Sequence, residues 1–114
     1  MESTNTRQQK IAKQIQKDVA GIIQREYSAA LRGTLVTVTT VRVSVDLAYA
    51  KIYVSVFPFD RAEATLAFLT EQNRAIRGQL GNLMRNQVKS IPELQFFIDD
   101  SLEYIENIDN LLNK

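Results

Sequence analysis

Residues 34–57 read TLVTVTTVRVSVDLAYAKIYVSVF, and the way this stretch alternates decides the fold. Its first half is rich in β-branched residues, which favour a pleated strand. Apolar positions run Val36, Val38, then slip phase at Thr39-Thr40 and resume as Val41, Val43, Val45. A slip of one residue would turn the second half outward, so a β-bulge is expected at the two threonines. A turn is expected near Val45-Asp46-Leu47. The second half alternates without interruption. Ala48, Ala50, Ile52, Val54 and Val56 share one face; Tyr49, Lys51, Tyr53, Ser55 and Phe57 share the other. The stretch therefore reads as a hairpin with one packed face and one wetter face.

Working outward, Ile11, Ile15, Val19, Ile22 and Ile23 recur at helical spacing before the hairpin, with Arg7, Lys10, Lys13 and Lys17 on the opposite side. This helix is expected to start near Ser3–Thr6, which offer capping hydroxyls, and to end at residues 26–30, before Gly33. After the hairpin, Pro58 stops the strand and Asp60 is the expected cap of a helix over residues 61–71. A further helix is expected over residues 73–90, closed by Pro92. LQFFIDD reads as a third strand. SLEYIENIDNLLNK places Leu102, Ile105, Ile108 and Leu112 at helical spacing, a short acidic helix capped by Asp100 or Ser101. The order helix, strand, strand, helix, helix, strand, terminal helix predicts a two-layer α+β fold, with helices on one face of a three-stranded sheet. One domain is expected over residues 1–114, its first six residues flexible.

Composition narrows the chemistry. Among 114 residues there is no cysteine and no histidine, which excludes disulfides and thiolate zinc sites and removes the commonest general base. Asp99-Asp100 is weak as a cation site, and no metal or cofactor is expected. No convergent catalytic set can be named, so the chain reads as a binder rather than an enzyme. MESTNTRQQK lacks the apolar core of a signal peptide and no apolar run is long enough to span a bilayer, so the expected location is cytoplasmic, away from membranes. Residues 1–92 carry thirteen Lys or Arg against seven Asp or Glu, a net of +6; residues 93–114 carry one against six, a net of −5. A basic body attracts a polyanion, and the acidic end repels one. No long exposed apolar seam points to an obligate oligomer, so a monomer is expected.

The most informative site signal is AIRGQLGNLMRNQVK, residues 75–89, where Gly78 and Gly81 interrupt a helical pattern. Each mid-helix glycine costs about 1 kcal/mol relative to alanine. On a helical wheel Arg77, Gly78, Gly81, Arg85 and Lys89 fall within roughly 60° of Arg74, whereas Ile76, Leu80, Leu83 and Met84 cluster on the far side. Bare backbone ringed by cations suits a nucleic-acid strand, since phosphate contacts supply most of the affinity. Asn82 and Asn86 flank the strip. The candidate RNA-binding residues are thus Arg74, Arg77, Gly78, Gly81, Asn82, Arg85 and Lys89, with Arg7, Lys10, Lys13 and Lys17 as a secondary, steering surface. A solvated face, with the glycines serving close helix packing, is the competing reading. Tyr49, Lys51 and Tyr53 have the pattern of a base-stacking sheet face, although such rows more often form cross-strand pairs.

VDLAYAKIYVSV at the hairpin and IPELQFFIDDSLEY at residues 91–104, with QREY in the first helix and Gly33 after it, resemble the ribosome-binding factor A family over nearly the whole chain. The resemblance implies a type II KH-like fold. It implies a non-enzymatic assembly factor that binds the small ribosomal subunit and its rRNA late in maturation, promotes rRNA end processing, leaves before translation, and supports growth in the cold. Ribosomal proteins and a releasing GTPase are the further partners it implies. The chain departs from the family pattern in two places. The Ala-x-Gly kink between the paired helices falls on Gln72-Asn73-Arg74, where a kink at Asn73 is expected instead, and Ala29-Ala30-Leu31 occupies the usual proline-containing loop. The alternatives are a generic single-stranded nucleic-acid module, which would bind any unstructured RNA or DNA equally, and a protein-docking domain acting through the acidic terminal helix.

Overall fold

The computed structural model describes residues 6–99. Helix α1 (Thr6–Tyr27) leads into strands β1 (Leu35–Val43) and β2 (Tyr49–Phe57). A single 3₁₀ turn (Phe59–Arg61) precedes helices α2 (Ala62–Glu71) and α3 (Asn73–Met84), and strand β3 (Glu93–Ile98) follows. The expected terminal helix, its caps at Asp100 or Ser101, and the first five residues lie outside the described residues.

The sheet has the order β1-β2-β3, with β1 antiparallel and β3 parallel to β2. Pairing shifts by one between Val38 and Thr40, so the bulge stands where the threonines predict it. Its effect is visible in burial: Val38 and Val41 both face the core. The bulge is held from two sides. The Gln16 side-chain amide on α1 donates to the carbonyls of Val38 and Thr39 (3.2 and 3.3 Å). The Thr39 hydroxyl donates to the Asp99 carboxylate (2.6 Å) and lies 3.2 Å from the Tyr53 carbonyl. Carbonyls that a bulge withdraws from the ladder thus regain partners. Similarly, Gln8, buried at the start of α1, donates to the Val43 carbonyl at 2.9 Å.

One apolar cluster joins the two layers. Ile15, Val19 and Ile22 of α1, Ala50, Ile52, Val54 and Val56 of β2, and Leu69, Ile76, Leu80 and Met84 of α2 and α3 are all fully enclosed. Burying each of the larger side chains contributes about 1.5–3 kcal/mol. The stripe and alternation read from sequence are therefore the packed faces. All helices lie on this side of the sheet, and the other side carries Tyr49, Lys51, Tyr53 and Phe57. Among the described residues no helix is long and apolar enough to cross a membrane.

The hairpin turn is built by polar side chains. The Ser44 hydroxyl donates to Asp46 (2.8 Å) and accepts from the Tyr49 amide (3.0 Å), and the Asp46 carboxylate also accepts from the Ala48 amide (3.1 Å). These bonds hold Leu47 at φ 62°, a left-handed conformation that costs a non-glycine residue roughly 1–2 kcal/mol. They also hold the Asp46 carboxyl below its ordinary pKa, the Ser44 hydroxyl first and the Ala48 amide second.

Three local expectations are corrected. Asp60 does not cap α2: it sits inside the 3₁₀ turn, and Arg61 occupies the cap position without a side-chain cap bond. The helix expected to reach Ser90 ends at Met84, whose carbonyl accepts from both Gln87 (2.8 Å) and Val88 (3.2 Å). The chain must leave the helix there to bring Ile91 and Pro92 back beside Arg77, about two turns earlier. The break between α2 and α3 lies at Gln72 rather than Asn73. Gln72 adopts φ −88°, ψ 4°, a bridge conformation open to ordinary residues, so the junction forms without glycine.

Candidate nucleic-acid interface

Helix α3 presents most of the residues singled out by the sequence. Its core stripe, Ile76, Leu80 and Met84, faces inward, which leaves Arg74, Arg77, Gly78 and Asn82 exposed, with Arg85 at the helix end. Lys89 is exposed as well, but it lies beyond the end of the helix, so its place on the helical wheel does not carry over.

The two glycines meet different surroundings. A Cβ at Gly78 would have nothing within 4 Å. A Cβ at Gly81 would stand 3.4 Å from Cγ1 of Ile91. Gly78 is the bare backbone between cations that the sequence suggests. Gly81 is half-buried beside the segment leading into β3, where a Cβ would make an ordinary contact with Ile91.

Arg77 is also partly committed. Its Nε donates to the Pro92 carbonyl (3.1 Å) and its Nη2 to the Ile91 carbonyl (2.6 Å). One turn earlier, the Asn73 amide donates to the Leu94 carbonyl at 2.8 Å. Asn73 and Arg77, four residues apart on one helix face, thus clamp residues 91–94 to α3. The sequence reading assigned Asn73 only a backbone role. The i, i+4 spacing was the available signal, but its target could not be seen before β3 was placed.

Between α2, α3 and β3 lies an open cleft of about 740 Å³. Arg74, Arg77 and Gly78 line its helix side, and Ile91 and Leu94 its strand side; Glu71 and Glu93 add carboxylates at its margins. The cleft therefore offers cations and accessible helix backbone along one wall, and along the other Ile91 and Leu94 beside the Glu93 carboxylate.

The first helix is not a separate surface along its whole length. Arg7 and Lys10 border a hollow of about 340 Å³ together with Met84 and Gln87, at the end of α3 and next to Arg85. Lys13 and Lys17 continue along α1, exposed. On the far side of the sheet, Tyr53 and Phe97 form a stacked pair, centroids 5.3 Å apart at 26°, so for Tyr53 the cross-strand reading holds.

The αββααβ order, the mixed three-stranded sheet and the helices on one of its faces define a KH-like α+β fold. The family model for ribosome-binding factor A matches residues 7–112. Ribosome-binding factor A of Christiangramia forsetii is 42% identical over 110 residues, 96% of this chain and 83% of that protein. That of Flavobacterium johnsoniae is 41% identical over 107 residues, 93% of this chain and 82% of that one. The crystal structure of ribosome-binding factor A from Thermus thermophilus superposes with a TM-score of 0.67 at 26% identity, covering 80% of this chain and 94% of that one. A homology model of the Thermus thermophilus factor, fitted into a cryo-EM map of its complex with the 30S subunit, gives a TM-score of 0.61 at 27% identity, covering 78% and 91%. The chain belongs to the ribosome-binding factor A family.

Proposed function

We propose that this protein is a non-enzymatic assembly factor that binds the small ribosomal subunit late in maturation and promotes processing of its rRNA ends. It acts as a cytoplasmic, single-domain monomer. The observation that carries the site assignment is the uncovered backbone at Gly78, set beside Arg74 and Arg77 on the wall of the α2–α3–β3 cleft. An RNA backbone laid along α3 meets Arg74 first, passes Gly78 where no side chain intervenes, and continues past Asn82 to Arg85 and Lys89. Arg7 and Lys10 adjoin this path at the end of α3, with Lys13 and Lys17 steering from farther out. Arg77 contributes charge while holding the loop, and Gly81 keeps the helix bare beside Ile91. The Thermus thermophilus complex supports the small subunit as the partner; ribosomal proteins and a releasing GTPase complete the proposed set.

Capture is electrostatic and selection is by shape, so affinity should fall with salt in proportion to the phosphates neutralised. Co-sedimentation with immature small subunits, mature small subunits and intact ribosomes across a salt series tests the proposal. Preference for free or immature small subunits that persists at physiological salt is expected. Equal, salt-labile binding to all three would leave only a generic single-stranded RNA binder.

A further inference from the structure

Among the described residues nothing covers the side of the sheet away from the helices, and what it carries is unusual. Tyr49, Tyr53 and Phe57 recur at every fourth residue on the outer face of the central strand β2. At about 3.3 Å per residue they form a row roughly 26 Å long. Tyr49 is 51% exposed and Phe57 53% exposed, high for large rings in a strand at the middle of a sheet. Strand register adds neighbours on both sides. Phe97 of β3, itself 36% exposed, lies beside Tyr53, and Leu35 of β1 pairs with Phe57. Arg42 pairs with Lys51, which stands between the first two rings, and the Lys51 ammonium lies 6.0 Å from the centroid of Phe97.

Rings spaced along a strand, with Lys51 between the first two and Arg42 beside it, match the needs of unstructured RNA. Every base offers a flat apolar face to an aromatic ring, and every linkage between bases carries one negative charge. A protein partner would also bury the rings, but the positive charge of Lys51 and Arg42 beside them complements the charged linkages of a polyanion. We infer that the outer face of the sheet is a second RNA-binding surface. It takes single-stranded RNA by stacking bases on Tyr49, Phe57 and the Tyr53–Phe97 pair, with Lys51 and Arg42 on the intervening phosphates. Glu93, paired with Tyr49, places one carboxylate at the end of this face and opposes the same ligand. The rings, Lys51 and Arg42 take no part in lining the α3 cleft, whereas Glu93 borders both surfaces.

The test is a titration of a labelled, unstructured RNA of about eight nucleotides, followed by fluorescence anisotropy and by NMR of the aromatic ring signals. It uses the full chain, with and without Arg74→Ala/Arg85→Ala, so that binding along α3 and binding on the sheet are read separately. On the Arg74→Ala/Arg85→Ala background, the Tyr49 and Phe57 ring signals should move upfield on titration, as stacking requires. Tyr49→Ala and Phe57→Ala should each weaken binding about tenfold. Tyr49→Phe should retain it, because the ring face and not the hydroxyl is used; that variant also serves where the alanine variant is poorly folded. Lys51→Gln should weaken binding and lower its salt dependence. Ring signals that stay fixed, or affinities unchanged by Tyr49→Ala and Phe57→Ala, would overturn the inference. So would a finding that these substitutions alter self-association in sedimentation while leaving RNA binding intact, since the face would then be a contact between copies.

Discussion

Gly78 and Gly81 stand three residues apart on one helix, in the same apparent stripe, and differ in what covers them. Gly78 opens to solvent beside a cleft; a Cβ at Gly81 would stand 3.4 Å from Ile91. The same division runs through the arginines. Arg77 uses its Nε and Nη2 to hold the carbonyls of Pro92 and Ile91, whereas Arg74, at the opening of the cleft, and Arg85, at the end of α3, stand exposed. A cationic helix face is thus not one functional unit. Part of it builds the groove and part of it stays exposed, and charge or spacing alone does not separate the two.

This contrast can be broken by substitution. The largest effect is expected for Arg74→Ala with Arg85→Ala: binding to immature small subunits should weaken at least tenfold and the salt slope should fall by about 1.4–1.8. Thermal stability should stay within about 0.5 kcal/mol of the parent, as for surface changes away from packing. Salt-dependent co-sedimentation with parallel melting curves checks both. Arg77→Ala should reverse the balance. Losing two charge-assisted bonds to loop carbonyls at a mostly exposed site should cost about 1–2 kcal/mol of stability, read in urea unfolding. Arg77→Lys should restore little, because a point ammonium cannot fork between two carbonyls.

The glycines give a finer test. Gly78→Ala should stabilise the fold by about 0.5–1 kcal/mol, since a methyl group there meets nothing. Gly81→Ala should gain less, its Cβ already touching Ile91. Gly78→Leu should melt no lower than the parent yet bind RNA more weakly. If it bound equally well, the opening at Gly78 would have no part in recognition.

The smallest expected effect lies far from α3, at the hairpin turn. The Asp46 carboxyl titrates below its ordinary value because Ser44 and the Ala48 amide bond to its charged form. Its contribution is therefore present above the usual carboxylate value of about 3.9 and is lost as pH falls through the lowered one. Asp46→Asn should make melting slightly less dependent on pH in that acid range and leave RNA binding unchanged.

The hairpin shows how far sequence reading reaches. Two valine phases separated by Thr39-Thr40 can be satisfied together only by a bulge, and the structure has one. The inward stripe of α1 and the alternation of β2 were legible for the same reason, since local periodicity and burial agree. What could not be read depends on where distant segments return. The end of α3 at Met84, the seat of Ile91 over Gly81 and the grip of Arg77 all follow from the position of β3, which pairs in parallel with β2 across more than forty residues of chain. The helical wheel put Lys89 on the α3 strip because no local signal marks the helix's early exit; the closing proline stands eight residues later. Likewise Phe97 joins the ring row on β2 only through that long-range pairing.

The central claim is that RNA runs along α3 past the opening at Gly78. Because the chain contains no cysteine, a single cysteine gives a unique attachment point for a photocrosslinker. The most direct measurement places it at Asn82, one turn beyond Gly78, and in a parallel variant at Glu63 on the exposed side of α2, each bound to immature small subunits. The account predicts rRNA crosslinks from position 82 and few from position 63. Equal yields from the two positions, or crosslinks from position 82 to ribosomal proteins alone, would contradict it.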